Sequence, residues 1–175
     1  KVTAGNSAQV TDGAAWLLLA GEDAVEKYGL SPRARIVDCT WAGLDPKQMG
    51  LGPVHAISRL LDKNKLKLAE IDEWEINEAF ATQVLACLRA MADKAFCREE
   101  LGRSKPLGEI DHDHLNVDGG GISLGHPVGA SGARITLHLQ RTLSARQARY
   151  GVASLCIGGG QGGAMLLENV HEQGH

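Results

Sequence analysis

Two apolar stretches near the C-terminal end, YGVASLC (150–156) and GAMLLENV (163–170), are separated only by IGGGQG. A link this short cannot hold a crossover between parallel strands, which takes about a dozen residues or more. The two stretches therefore pair as an antiparallel hairpin. Glycine this dense loses much chain entropy on folding, and it is placed where a tight turn or a close backbone approach requires it. The hairpin anchors a sheet, and the other apolar segments must be arranged around it.

Upstream, strand-like and helix-like segments alternate. DGAAWLLLAG (12–21) is an apolar run bounded by glycines and reads as a buried strand. EDAVEKYGL is a short helix stopped by Gly29, and RARIVDCTWAG (33–43) is a second strand. In GPVHAISRLLDKNKL, Pro53 suits a first helical position, and Val54, Ile57, Leu60 and Leu61 form one apolar face. IDEWEI (71–76) alternates as a short strand. Phe80, Val84, Cys87, Leu88 and Met91 then line one side of a helix, with Gln83, Arg89 and Asp93 off that stripe and Asn77 at the N-cap position. The polar stretch 98–114 reads as an exposed insertion. Ser131 can cap a helix running through Ile135, Leu139 and Leu143. The order βαβαβαββ predicts a layered α/β domain with a mixed five-stranded sheet and right-handed crossovers.

Composition sets limits on partners. The 175 residues are 43% apolar and 22% charged, which suits a globular fold with a core of useful size. A formal net charge of −3 offers no electrostatic footprint for nucleic acid or an anionic membrane. No apolar run approaches the length of a membrane span. The four cysteines form no CxxC pair and no metal-ligand spacing, so no metal is expected and a reducing compartment is, either the cytoplasm or an organelle matrix. The opening KVTAGNSAQVTDGAAW lacks an initiator Met and enters structured-looking sequence at once, as expected of a fragment or a processed chain.

Three glycine-bearing loops carry different chemical groups: an amide in EINEAFA (Asn77), an imidazole in GGGISLGHPVGASGA (His126) and a thiol in CIGGGQGG (Cys156). In layered α/β folds ligands gather where strand ends meet helix starts, so the three can share one sheet edge. Pro127 restricts the His126 backbone to extended values and aims its side chain, which favours a functional role. The remaining histidines read as ordinary ones: His112 and His114 in the polar insertion, His171 and His175 near the tail. For Cys156 the spacing is about even between a functional thiol beside a ligand and a buried structural cysteine. Cys87 reads as core, and Cys39 and Cys97 as structural. Asn77 can cap its helix and face a ligand at once. The glycine loop is no nucleotide cradle, since neither GxxxxGK[ST] nor a well-placed GxGxxG occurs.

VTAGNSAQVTDGAA, GPVHAI, NEAFA, NVDGGGISLGHPVGASGAR and CIGGGQGGAMLLE, in this order and approximate spacing, resemble the thiolase family of acyl-CoA:acetyl-CoA C-acyltransferases. The resemblance runs from Val2 to Glu168. It implies residues 1–30 as the last strand and helix of the family's N-terminal half, 31–170 as its C-terminal domain, and 171–175 as a tail. It implies His126 as the base toward an acylated cysteine and an oxyanion donor, and Asn77 as the holder of a catalytic water. It further implies Cys156 as the acid/base at the α-carbon of acetyl-CoA, the Gly158 N–H as a second oxyanion donor, and Ala79 and Phe80 as lining for the pantetheine arm. No cofactor is implied; coenzyme A and acyl-CoA are substrates. The family's nucleophilic cysteine belongs to the N-terminal half, so this chain alone is expected to be inactive, to bind that half and to belong to a homo-oligomer. The stretch 94–114 is longer than in many members, and Ala8 stands where the family often has serine. Two alternatives stay open: a non-catalytic thiolase-like module binding acyl-CoA or lipid, and a cysteine hydrolase using Cys156 with His126.

Overall fold

The computed structural model describes residues 1–170; the tail at 171–175, with His171 and His175, lies outside the described residues. The elements are α1 (Glu22–Tyr28), β1 (Ala34–Gly43), α2 (Gly52–Asn64), β2 (Glu73–Ile76), α3 (Ala81–Ala92), α4 (Lys94–Leu101), the single turn α5 (Gly121–Leu124), α6 (Ser131–Arg146), β3 (Tyr150–Ile157) and β4 (Gln161–Asn169). One mixed sheet has the order β1-β4-β3-β2. The β3–β4 hairpin is antiparallel as expected, β1 joins β4 antiparallel, and β2 runs parallel to β3.

The sheet has four strands where five were expected. The missing one is the run 12–21, which forms no regular element. Trp16, Leu18 and Leu19 are largely exposed there, and no sheet edge among the described residues pairs with the segment. Its apolar character meets no partner backbone, and a strand needs one.

Alternation along β3 and β4 divides the core. Val152 and Leu166 face α2 and α3, in a cluster with Val54, Ile57, Leu60 and Met91. Ala153 and Leu167 face α6, in a second cluster with Ile135, Leu139 and Leu143. Both faces are apolar because both are covered by helices. The cover over the second face is partial. An open cavity of about 280 Å³ lies beside α6, lined among others by Leu17, Cys39, Trp41, Leu155 and Met165. Trp41 and Cys39 are exposed, so Cys39 is a surface thiol, whereas Cys87 and Cys97 are buried.

Three local readings change. Helix α3 is capped at Phe80, and Asn77 is no N-cap, because its own N–H donates to Ser154 O at 2.9 Å and prolongs the β2–β3 ladder. Gln83, expected off the stripe, is buried with Val84, Cys87 and Met91. Part of the supposed insertion is helical: the Asp93 carboxylate accepts from the Phe96 N–H at 2.8 Å and starts α4, which Gly102 ends in the left-handed region.

Candidate active site

Asn77 and His126 meet. Asn77 leaves the C-terminal end of β2, and its Nδ2 donates to His126 Nε2 at 3.4 Å. His126 arrives from the loop before α6. Its N–H donates to Gln9 O at 3.1 Å, which ties the first residues of the chain across the loop.

The ring of His126 has a defined tautomer. Ser131 Oγ lies 2.6 Å from His126 Nδ1, and the same hydroxyl donates to Pro127 O at 3.1 Å. Its only proton being used, the hydroxyl accepts from Nδ1–H. Nε2 therefore presents its lone pair toward Asn77. Burial lowers the His126 pKa, and the nearby Arg134 guanidinium, which donates to Gly125 O at 2.6 Å, lowers it further. The ring is thus a neutral base at pH 7. Ser131 is not the helix cap expected of it; Ala130 is, and the serine is spent on the histidine.

Asn77 is 2% exposed, and no donor among the described residues reaches its Oδ1. A buried acceptor left without a partner is unfavourable, and such atoms commonly mark a place where water or ligand binds.

Cys156 stands on the strand next to Asn77. Ser154 pairs with Ile76, so the two residues leave parallel strands at the same end of the sheet. No hydrogen bond joins Cys156 Sγ to His126 or Asn77 among the described residues. Burial raises the Cys156 pKa, opposite to the poising toward neutrality that an imidazole and local N–H groups would supply. At neutral pH this group is a protonated thiol. Across the hairpin it faces Gly162, whose backbone lies directly against Gly52 at the start of α2; a Cβ on either glycine would collide with the other segment's backbone.

Gly158 lies in the exposed hairpin turn, with its carbonyl accepting from Gln161 Nε2 at 3.2 Å. Ala79 and Phe80 lie beside Asn77, half-buried under the N-terminal segment. Ala79 O accepts from the Ala8 N–H at 3.0 Å, and Phe80 bridges Ser7.

The loop that delivers His126 has anchors that sequence reasoning missed. Asn116 acts as a substitute strand: its Oδ1 accepts from the Ile76 N–H and its Nδ2 donates to Ile76 O, both at 2.9 Å. Glu78 accepts from the Ile122 N–H at 3.2 Å. His114, read as an ordinary loop residue, contacts the buried Glu73 at 3.0 Å. The serine five residues after His126 was visible as a polar residue at a helix start, but its target was not.

Comparison with known proteins decides the family. The family model described as "Thiolase, C-terminal domain" matches residues 30–169. The chain belongs to the thiolase family. It is 46% identical over 168 residues to human mitochondrial 3-ketoacyl-CoA thiolase, covering 96% of this chain and 38% of that protein. It is also 46% identical over 169 residues to an Escherichia coli 3-oxoadipyl-CoA/3-oxo-5,6-dehydrosuberyl-CoA thiolase, covering 97% and 38%. Among solved structures, Bacillus anthracis acetyl-CoA acetyltransferase superimposes with a TM-score of 0.82 at 44% identity, covering 97% of this chain and 39% of that one. The human mitochondrial thiolase in complex with CoA gives 0.81 at 43% identity, with the same coverage. This thiolase chain spans under two fifths of the length of these relatives, in the region of the C-terminal domain.

Proposed function

We propose that the chain is the C-terminal part of a thiolase that transfers acyl groups between acyl-CoA and acetyl-CoA or CoA. The two directions are thiolysis of a 3-oxoacyl-CoA and Claisen condensation. The observation that carries this reading is the Asn77–His126 pair: a neutral, oriented imidazole with its lone pair facing a buried amide.

Each residue then has one task. His126 Nε2 takes the proton of a nucleophilic thiol supplied by the N-terminal half, since no cysteine here has that role. Asn77 Oδ1 accepts from a water that, with His126, stabilises the developing oxyanion. Cys156, protonated at neutral pH, gives its proton to the α-carbon during thiolysis and regains one from the incoming CoA thiol; in condensation it first gives its proton to the departing CoA thiolate and then, as the thiolate, removes one from the α-carbon. The Gly158 N–H faces the second oxyanion, and Ala79 and Phe80 line the pantetheine arm. Coenzyme A is substrate, and no metal is required. Residues 1–30 belong with the N-terminal half, which covers the apolar cavity at Trp41 and Leu155, and the whole assembles as a homo-oligomer in the cytoplasm or an organelle matrix. The hydrolase alternative has no observation in its favour, because His126 engages Asn77 and Ser131 and bonds to no thiol.

The test is thioester mapping by mass spectrometry after incubating the complete protein with acetyl-CoA. Acyl label on a cysteine outside this chain, with turnover lost in Cys156→Ala and His126→Ala, is the expected result. Label on Cys156 itself would overturn the assignment.

A further inference from the structure

The proposed chemistry leaves one ionisable cluster unused. Glu73 and Glu75 on β2 are buried, at 2% and 4% exposure. A buried carboxylate is tolerated only with partners. Glu73 receives Arg146 at 3.1 Å and His114. Glu75 lies 2.7 Å from His138 Nδ1, and the other ring nitrogen, Nε2, lies 2.9 Å from Asp118.

Each member of the second chain sits on an element that builds the candidate site. Glu75 is two positions before Asn77 on the same strand. His138 is on α6, two turns beyond Ser131. Asp118 belongs to the loop that ends at His126. Asn116 and Glu78 hold other points of that loop by bonds that need no titrating proton on an imidazole.

We propose that Glu75–His138–Asp118 is a proton-dependent brace that sets the His126 loop against the Asn77 strand, with His138 as a positioning residue. A neutral imidazole has one N–H and one lone pair. Between two carboxylates it can donate to only one, and its lone pair repels the other. An imidazolium donates to both, and a proton on Glu75 has the same effect by making that arm a donor. The brace is complete while one proton beyond the neutral ring is shared along it, and one arm opens when that proton leaves.

The surrounding charges agree with this. Burial raises Glu75 to about 7, against the opposing pull of His138. Burial alone would lower His138, but its bond to Asp118 and the charge of Glu75 override that and raise it. Of the charged groups on the same elements, Glu73 on β2 is paired with Arg146 of α6 and His114 of the loop, Glu78 follows at the strand end, and Arg134 stands one turn before His138 with its guanidinium on Gly125 O. Glu78 and Asp118 both favour retention of the Glu75 proton.

The experiment is histidine-selective ¹⁵N NMR on the complete protein from pH 7 to 9, where the His126 ring stays neutral. The His126 ring signals should move in step with the titration of His138. In Asp118→Asn, an exposed change that threatens no core, the amide can donate to the lone pair of a neutral ring. The His126 signals should then stay constant through the same range. In His138→Ala they should sit at the high-pH position throughout. An Asp118→Asn protein that titrates like the wild type would overturn the brace, as would a His138→Ala protein with wild-type His126 signals. The consequence for turnover rests on the acyltransferase reading: His138→Ala should lower kcat about 10–100-fold with KM little changed. Coupled NMR signals in a protein without thiolase activity would refute that reading and leave the brace standing.

Discussion

Ser131 does more for the site than any side chain whose role was legible from its neighbours. It is fully buried, and its hydroxyl decides which nitrogen of His126 carries the proton. In Ser131→Ala the Nδ1–H loses its acceptor and the ring is free to turn. We expect kcat in the complete protein to fall on the order of 10²-fold, with little change in KM; steady-state kinetics check this, and Ser131→Thr should retain more activity than the alanine variant. Gly162 makes a different residue-scale prediction. Its backbone touches that of Gly52, so the methyl of Gly162→Ala has no flexible neighbour to displace. A loss of about 1–3 kcal/mol is expected, read as a lowered midpoint in denaturant. The aiming of His126 by Pro127 was legible because it acts on adjacent residues. The Ser131 contact was not, because a helix-start serine has several local uses and only the path of the loop selects one.

Strand β2 shows how far periodicity reaches at the scale of an element. Its alternation correctly predicted a short strand, but the polar positions are as buried as the apolar ones. An edge strand overlaid by α6 and by the Asn116 loop has no solvent face. This gives the fold a pH signature. Glu75 is raised from 4.5 to about 7 by burial, so the penalty for burying it grows as pH rises from about 4.5 to 7. His138 is also raised, so its contribution is complete below its unfolded value near 6.5 and is lost as pH climbs through the folded one. Both groups make stability fall with rising pH. Asp38, lowered by its bond to Lys63, and Glu168, lowered by its bond to Arg35, act in the other direction: their contribution is lost as pH falls through their lowered values. Melting temperatures should therefore decline as pH rises from about 4.5 through the neutral range, and Glu75→Gln should flatten that decline between about pH 4.5 and 7. An unchanged slope in the variant would contradict this account. The helix α4 was missed because it is short and its second half, Arg98–Glu100, is charged; the Asp93 cap, the buried Cys97 and Phe96 packed against the core carry it.

At the scale of the whole molecule, the apolar cavity bounded by Trp41, Leu155 and Met165 and the exposed side chains of Trp16, Leu18 and Leu19 expect cover. Produced alone, the 175-residue chain should self-associate, and Trp41→Glu should reduce this in sedimentation experiments. A monodisperse monomer at micromolar concentration would count against it. The run 12–21, strand-like by composition, pairs with no sheet edge among the described residues and so is no strand here. From the sequence alone came the α/β class, the order of nearly all elements, the terminal hairpin and the three residues that carry an amide, an imidazole and a thiol. These follow from side-chain periodicity and from glycine and proline geometry, which act between near neighbours. Only the tertiary structure decided that Asn77 meets His126, that Ser131 sets its tautomer, that Asn116 completes β2 forty residues away, and that the buried Glu73 and Glu75 tie the strand to the loop and to α6. Such contacts join segments whose separation along the chain holds no trace of their distance in space; the packing of α6 on the sheet brings them together.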